Sequence, residues 1–146
     1  MVTLADIEKA RDTISARVLR TPLLPAPPLS ALTGADVFVK YENLQVTNSF
    51  KERGACVKLA ALSADERRRG VIAMSAGNHA QAVAYHARRL AVPATIVMPV
   101  TTPFVKVKAT ETLGVTVILD GETVAEAQKR AEIGRASCRE RVCLYV

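Results

Sequence analysis

The sequence has no tryptophan, and its three tyrosines and three phenylalanines make up only 4% of 146 residues. A surface that stacks single-stranded nucleic acid needs aromatics interleaved with basic groups. The one dense basic cluster, Arg67, Arg68 and Arg69, has none among it. No apolar run approaches the roughly 20 residues of a membrane-spanning helix. The opening MVTLADIEKARD lacks the apolar stretch of a signal peptide, so a cytoplasmic location is expected. Cysteines are few: Cys56, Cys138 and Cys143 form no CxxC pair and no zinc-type ligand spacing, so no metal is expected. The nucleotide-cradling patterns GxGxxG and GxxxxGKS/T are missing as well. Seven glycines and seven prolines follow no period, which excludes collagen-like and low-complexity classes.

What is present fits a folded domain. Hydrophobic residues are 49% and charged residues 23%, the proportions of a chain with a core. The net charge is +6, but the last 14 residues hold three arginines and one glutamate. Residues 1–132 therefore carry 17 basic and 13 acidic groups, a net +4. Arg67 to Arg69 stand just before Gly70 and read as a helix C-terminus, where cations meet the negative end of the helix dipole. Nucleic-acid binding would rest on the charge alone.

Along the chain, Leu4, Ile7, Ile14 and Val18 predict a helix over residues 4–19, ended by Thr21-Pro22. The chain runs extended through Pro25 to Pro28. A short helical turn is expected over 29–32, stopped by Gly34, then a short β-rich run at 37–39 and a loop over 42–49. A helix follows over 50–62, with Ala55, Leu59 and Leu62 on one stripe and Cys56 as a small core residue. Strands are predicted at 71–74, 94–98 and 115–119, separated by helices over 79–90 and from Pro103 to 113. A last helix starts near Thr123. Apolar strands without alternation, separated by helices of about a dozen residues, indicate an α/β open parallel sheet with helices on both faces. The tail, Ile133 to Val146, shows no clear period, and its first part resembles a vector- or adaptor-derived read-through. No function is assigned to Cys138 or Cys143.

Two loops carry the chemistry. In Asn48-Ser49-Phe50-Lys51, the lysine stands where a loop becomes a helix, with Asn48 or Ser49 as the cap. The positive end of the helix dipole and a water-excluding Phe50 would both favour a neutral amine, the form that attacks a carbonyl. In Ser75-Ala76-Gly77-Asn78-His79, a turn joins a strand's carboxyl end to a helix start. Backbone N–H groups there converge on an anion, three side chains add donors, and Gly77 permits close approach.

Together these segments, Lys40 to Ala55 and Ser75 to Gln81, closely resemble the threonine dehydratase (threonine ammonia-lyase) family of fold-type-II pyridoxal-phosphate enzymes. The likeness spans about residues 5–132 and includes Thr21-Pro22-Leu23 and Met98-Pro99. Cysteine synthase and threonine synthase are less similar around Lys51. The resemblance implies pyridoxal 5'-phosphate as cofactor, held by Lys51 as a Schiff base, with the freed amine acting as the base at Cα. It places Phe50 beside the cofactor ring, Asn78 on its 3′ oxygen, and residues Ser75, Ala76, Gly77, Asn78 and His79 on the substrate carboxylate. The implied reaction is β-elimination from L-threonine or L-serine to a 2-oxo acid and ammonia. That belongs to amino-acid metabolism, isoleucine biosynthesis included, in a homo-oligomeric parent enzyme. The family's glycine-rich phosphate loop and its pyridine-nitrogen partner lie further along and do not occur in these 146 residues. The expectation is therefore an incomplete, inactive fragment. Residues 1–50 would pack on a larger domain, 51–132 form the small α/β domain, and 133–146 are a non-native tail. The alternatives are a serine racemase-type relative and a non-catalytic module that binds a small anion or a protein partner.

Overall fold

The computed structural model describes residues 1–137 and 142–144. Helix α1 (Leu4–Ile14) starts on a capping box: the Thr3 hydroxyl accepts from the Asp6 amide, and the Asp6 carboxyl accepts from the Thr3 amide. It ends well before residue 19. Past Ile14 the chain turns once more, with the Arg17 and Val18 amides donating to the Ile14 carbonyl at 2.8 and 3.0 Å. Leu19 is held outside the helix by Gln45, whose side-chain amide accepts from the Leu19 N–H at 3.2 Å and donates to the Leu19 carbonyl at 2.9 Å.

Strand β1 (Leu23–Pro25) pairs antiparallel with β2 (Phe38–Lys40), aligning Leu24 with Val39. The expected run at 37–39 is thus a strand shifted by one residue, and its partner is Leu23–Pro25; the extended run expected through Pro28 stops at Ala26, because Pro27 and Pro28 open a helix. Helix α2 (Pro27–Thr33) begins on Pro27 and Pro28, whose fixed φ suits a first turn. It stops at Gly34, which is left-handed with φ 71°. A 3₁₀ turn (Glu42–Leu44) precedes α3 (Lys51–Ala60).

Helix α4 (Ala64–Arg69) shows in the sequence only through its C-terminal arginines, because ADERRR offers no apolar stripe. It is built locally, by a Ser63–Glu66 capping box at one end and Arg67 to Arg69 in its last turn. The arginines are therefore a helix end, as expected. Gly70 follows with φ 80°, and a Cβ there would lie 2.5 Å from the Pro93 carbonyl oxygen, so only glycine fits.

The main sheet is parallel throughout, in the order β5-β4-β3-β6. It consists of β3 (Val71–Met74), β4 (Ala94–Met98), β5 (Thr116–Leu119) and β6 (Val142–Cys143). Helices α5 (Asn78–Arg89), α6 (Phe104–Glu111) and α7 (Val124–Ser137) connect and cover it. Side chains alternate across the sheet. Val71, Ala73, Ile96 and Met98 join Leu59, Val83, Ala87 and Val107 in the larger core, which α3, α5 and α6 close. Ile72 and Val97 join Ala127 and Ala131 of α7 on the other face. Each fully buried Leu, Ile or Val contributes on the order of 1.5–3 kcal/mol. Cys56 is fully buried, as expected of a core thiol. The expectation of no period after residue 132 is corrected, because α7 continues through Ser137 and β6 pairs with β3. Leu144 beyond it is buried in the larger core. Two residues of strand are too few to show alternation. Cys138 lies outside the described residues.

Candidate functional site

Lys51 is the first residue of α3. The turn before it is compact: the Asn48 amide donates to the Gln45 carbonyl at 2.9 Å, and Asn48 takes φ 56°, which asparagine tolerates better than most residues. Buried Ser49 turns its hydroxyl back to accept from the Lys51 amide at 3.2 Å. Ser49 thus supplies the capping bond expected of Asn48 or Ser49, while Phe50 occupies the cap position itself. Phe50 is 60% exposed, so in this chain its ring does not dry the amine. It faces it: Lys51 Nζ lies 5.2 Å from the ring centroid, near enough for a cation–π attraction.

The second loop leaves the carboxyl end of β3. Its Ser75 amide donates to the Val97 carbonyl at 3.1 Å, continuing the sheet by one bond. The Ser75 hydroxyl accepts from the Gly77 amide at 3.2 Å, folding the turn onto itself. Gly77 is extended, with φ −140°, and a Cβ added to it would meet nothing within 4 Å. Open space therefore lies before the turn. Asn78, the first residue of α5, is exposed, and Ser75, Ala76 and Gly77 are half-buried. His79 is different. Its ring is buried, with Nε2 3.5 Å from the Leu144 carbonyl and no partner for Nδ1 among the described residues. Burial lowers its pKa, and the nearby Lys51 charge lowers it further. Ala55 and Leu59 of α3 pack with Ala80, Val83 and Ala87 of α5 in the larger core, so the helix that begins at Lys51 lies against the helix that begins at Asn78.

Two polar networks support this arrangement, and neither was anticipated. In the first, Arg53 grips Glu42 with two bonds of 2.8 Å, Nε to Oε2 and Nη2 to Oε1. Thr21 donates to Glu42 at 2.5 Å, and Gln45 donates at 3.3 Å. The Arg53 guanidinium first, then Thr21, hold the Glu42 pKa down to about 2 against its partial desolvation. In the second, Glu52 is buried completely, and its Oε1 accepts from the Thr47 amide at 2.5 Å. Its Oε2 lies 3.7 Å from Nε2 of buried His86 on α5. Burial, with the Arg89 and Arg17 charges adding, pushes the His86 pKa down to about 4, so its imidazole is neutral at pH 7. The signal in the sequence was a charged residue on the same stripe as Ala55, Leu59 and Leu62.

A groove of about 970 Å³ lies elsewhere, between α1 and α3, lined by Ile14, Val18, Arg53 and Val57 among others. Its lining includes none of residues 50, 51 or 75–79. Among the described residues no group of His, Cys, Asp or Glu could hold a metal ion, and no helix is long and apolar enough to cross a membrane.

The parallel α/β sheet thus carries Lys51 at the start of one covering helix and the polar Ser75 to His79 turn at the start of another packed against it. The chain belongs to the pyridoxal-phosphate dependent enzyme family, whose profile matches residues 14–146. It is 50% identical over 131 residues to an L-threonine ammonia-lyase of Thermotoga maritima, covering 90% of this chain and 33% of that protein. Its fold matches the processed form of threonine deaminase isoform 2 from Solanum lycopersicum, with a TM-score of 0.84 and 36% identity over 99% of this chain and 41% of that one. Maize serine racemase matches with a TM-score of 0.91 and 29% identity, over 99% of this chain and 44% of the other. These likenesses establish the fold-type-II architecture. The chain spans about a third of the length of the curated relatives it matches.

Proposed function

We propose that this chain is the lysine-bearing part of a pyridoxal-phosphate-dependent ammonia-lyase acting on L-threonine or L-serine. The observation that carries the reading is Lys51 at the start of α3, facing Phe50, on a helix packed against α5, which opens on the Ser75 to His79 turn. The residues present fit the cofactor, because the space before Gly77 is open and Asn78 and Phe50 are exposed toward solvent. When bound, pyridoxal phosphate supplies an electron sink for the pair left on Cα. Lys51 would carry the cofactor and, once free, take the proton from Cα. Backbone N–H groups of Ser75 to His79 and the Asn78 amide would orient the substrate carboxylate and the cofactor's ring oxygen. Phe50 would pack against the ring.

The exposed Leu23, Leu24, Phe38 and Leu44 support residues 1–50 as a surface that packs on further protein. Turnover by these 146 residues alone is therefore not expected. The likeness to maize serine racemase supports a second reading with the same first step, proton removal by Lys51, followed by return of a proton to Cα. Conversion of L-serine to D-serine by the purified parent enzyme would select it, and pyruvate formation with no D-serine would reject it.

The test is reductive trapping. The chain is incubated with pyridoxal phosphate, reduced with borohydride, digested and mapped. The pyridoxyl group is expected on Lys51 in preference to Lys58, with the preference abolished in Lys51→Ala. Modification spread evenly over the surface lysines would overturn the reading.

A further inference from the structure

Glu52 and His86 belong to neither loop, yet they form a buried pair with unused bonding capacity. Glu52 Oε2, His86 Nε2 and the hydroxyl of Thr47 are all buried without a hydrogen-bond partner among the described residues. A completely buried carboxyl group costs several kcal/mol unless its bonds give something in return. An apolar pair at these two positions would pack at least as stably. What the pair does instead is tie three things together. Oε1 holds the Thr47 amide at 2.5 Å, which anchors the turn leading to Lys51. Oε2 faces His86 at 3.7 Å, on the helix that begins at Asn78. Glu52 itself is the next residue after Lys51 on α3.

We propose that Glu52 and His86 are positioning residues for Lys51. Glu52 clamps the Thr47 to Phe50 turn through its Thr47 bond, and the buried His86 ring packs against the other Glu52 oxygen, with Nε2 3.7 Å away, on the face of α5. The pair thereby sets where Lys51 Nζ sits relative to the Ser75 to His79 turn. The turn needs such a clamp, because Asn48 holds a left-handed φ of 56° and the Ser49 hydroxyl caps only the Lys51 amide. Arg89 and Arg17 are the charged groups that act on His86 besides Glu52, and both favour its neutral form, which can donate from one ring nitrogen. The Lys51 role rests on the cofactor reading above.

Two readouts test this. The first needs no cofactor: hydrogen exchange at the Thr47 amide. The second is the ratio of pyridoxyl trapping on Lys51 to that on exposed Lys58 of the same helix. The informative variant is the double replacement Glu52→Leu/His86→Leu, which removes the Thr47 bond and the polar Glu52–His86 contact and keeps apolar packing, with its melting temperature measured alongside. The proposal expects a folded double variant whose Thr47 amide exchanges about tenfold faster and whose Lys51 to Lys58 ratio falls by about tenfold, the scale on which small misplacements matter. Glu52→Gln keeps an oxygen for the Thr47 amide and should retain most of the ratio. A folded double variant with the wild-type ratio would overturn the proposal and leave the cofactor reading intact. A wild-type chain without any Lys51 preference would overturn both, and the Thr47 exchange would then report a clamp with no site to serve.

Discussion

Arg53 holds Glu42 by both carboxyl oxygens, Nε to Oε2 and Nη2 to Oε1, each at 2.8 Å. Arg53 stands two residues past Lys51 on α3, and Glu42 opens the 3₁₀ turn after β2. This fork locks the ribbon of β1 and β2 to the helix that presents the lysine. Lys40 joins it by donating to the Thr21 carbonyl at 2.6 Å. A planar fork is what arginine offers and lysine does not, so Arg53→Lys should loosen the ribbon while keeping the charge.

The pair makes stability depend on pH in a defined direction. Glu42 titrates at about 2 when folded, against an ordinary 4.5. A lowered folded pKa gives stability that is fully present above about pH 4.5 and is lost as pH falls toward about 2. Allowing for solvent screening, the contribution is about 1–2 kcal/mol. Urea melts of wild type and Glu42→Gln should differ by that amount at pH 7 and converge as the pH drops through this window. A constant difference from pH 7 to pH 3 would show that the fork is not a stabilising ion pair.

Gly70→Ala should be costly. The new methyl group meets the Pro93 carbonyl oxygen at 2.5 Å, and alanine must hold φ 80°. A loss of about 2 kcal/mol or more is expected in thermal melts. Gly77→Ala is the control, because it meets nothing within 4 Å and has no positive φ. It should melt near wild type while reducing Lys51 trapping if the cofactor occupies that space.

Leu59 is fully buried in the larger core between α3 and the sheet. Leu59→Ala should cost about 2–5 kcal/mol, depending on how far the site collapses. Denaturant midpoints will show it, and a cost under 1 kcal/mol would contradict the packing of α3 on this face.

The cysteines give a probe of the same core. Cys56 is inaccessible, and burial raises its thiol pKa. Cys143 on β6 is half-buried. Maleimide labelling followed by peptide mapping should reach Cys143 first and Cys56 only at the rate of opening. Equal rates would mean that the core is not closed.

The parts of the fold legible in the sequence were those whose cause is local. Val71–Met74 and Ala94–Met98 are continuous apolar runs bounded by Gly70, Pro93 and Pro99, and both strands fall where predicted. Gly34 and Pro103 marked a helix end and a helix start for reasons of φ alone. The parts that were hidden have distant or side-chain causes. Leu19 lies outside α1, held by Gln45 26 residues further along the chain. Strand β1 exists because β2 pairs with it, and Pro25 disguised it. At the site, Lys51 and the turn at Ser75 to His79 could be read because their motifs are contiguous. The Glu52–His86 pair could not, because it forms only when α3 packs on α5. His79, expected as one of the turn's side-chain donors, is buried beside Leu144, in a place set by a strand with no sequence signal of its own.

The central claim is that Lys51 and the Ser75 to Asn78 turn form one cofactor site. The most direct measurement is a titration of the isotope-labelled chain with pyridoxal phosphate, followed through its backbone amide spectrum. The account predicts that the amides of Lys51, Ser75, Ala76, Gly77 and Asn78 shift together with one saturation curve, and that Lys51→Ala abolishes the shifts in the second loop as well as the first. Shifts confined to the basic groove around Arg53 and Lys58, or a second loop that responds the same without Lys51, would contradict it.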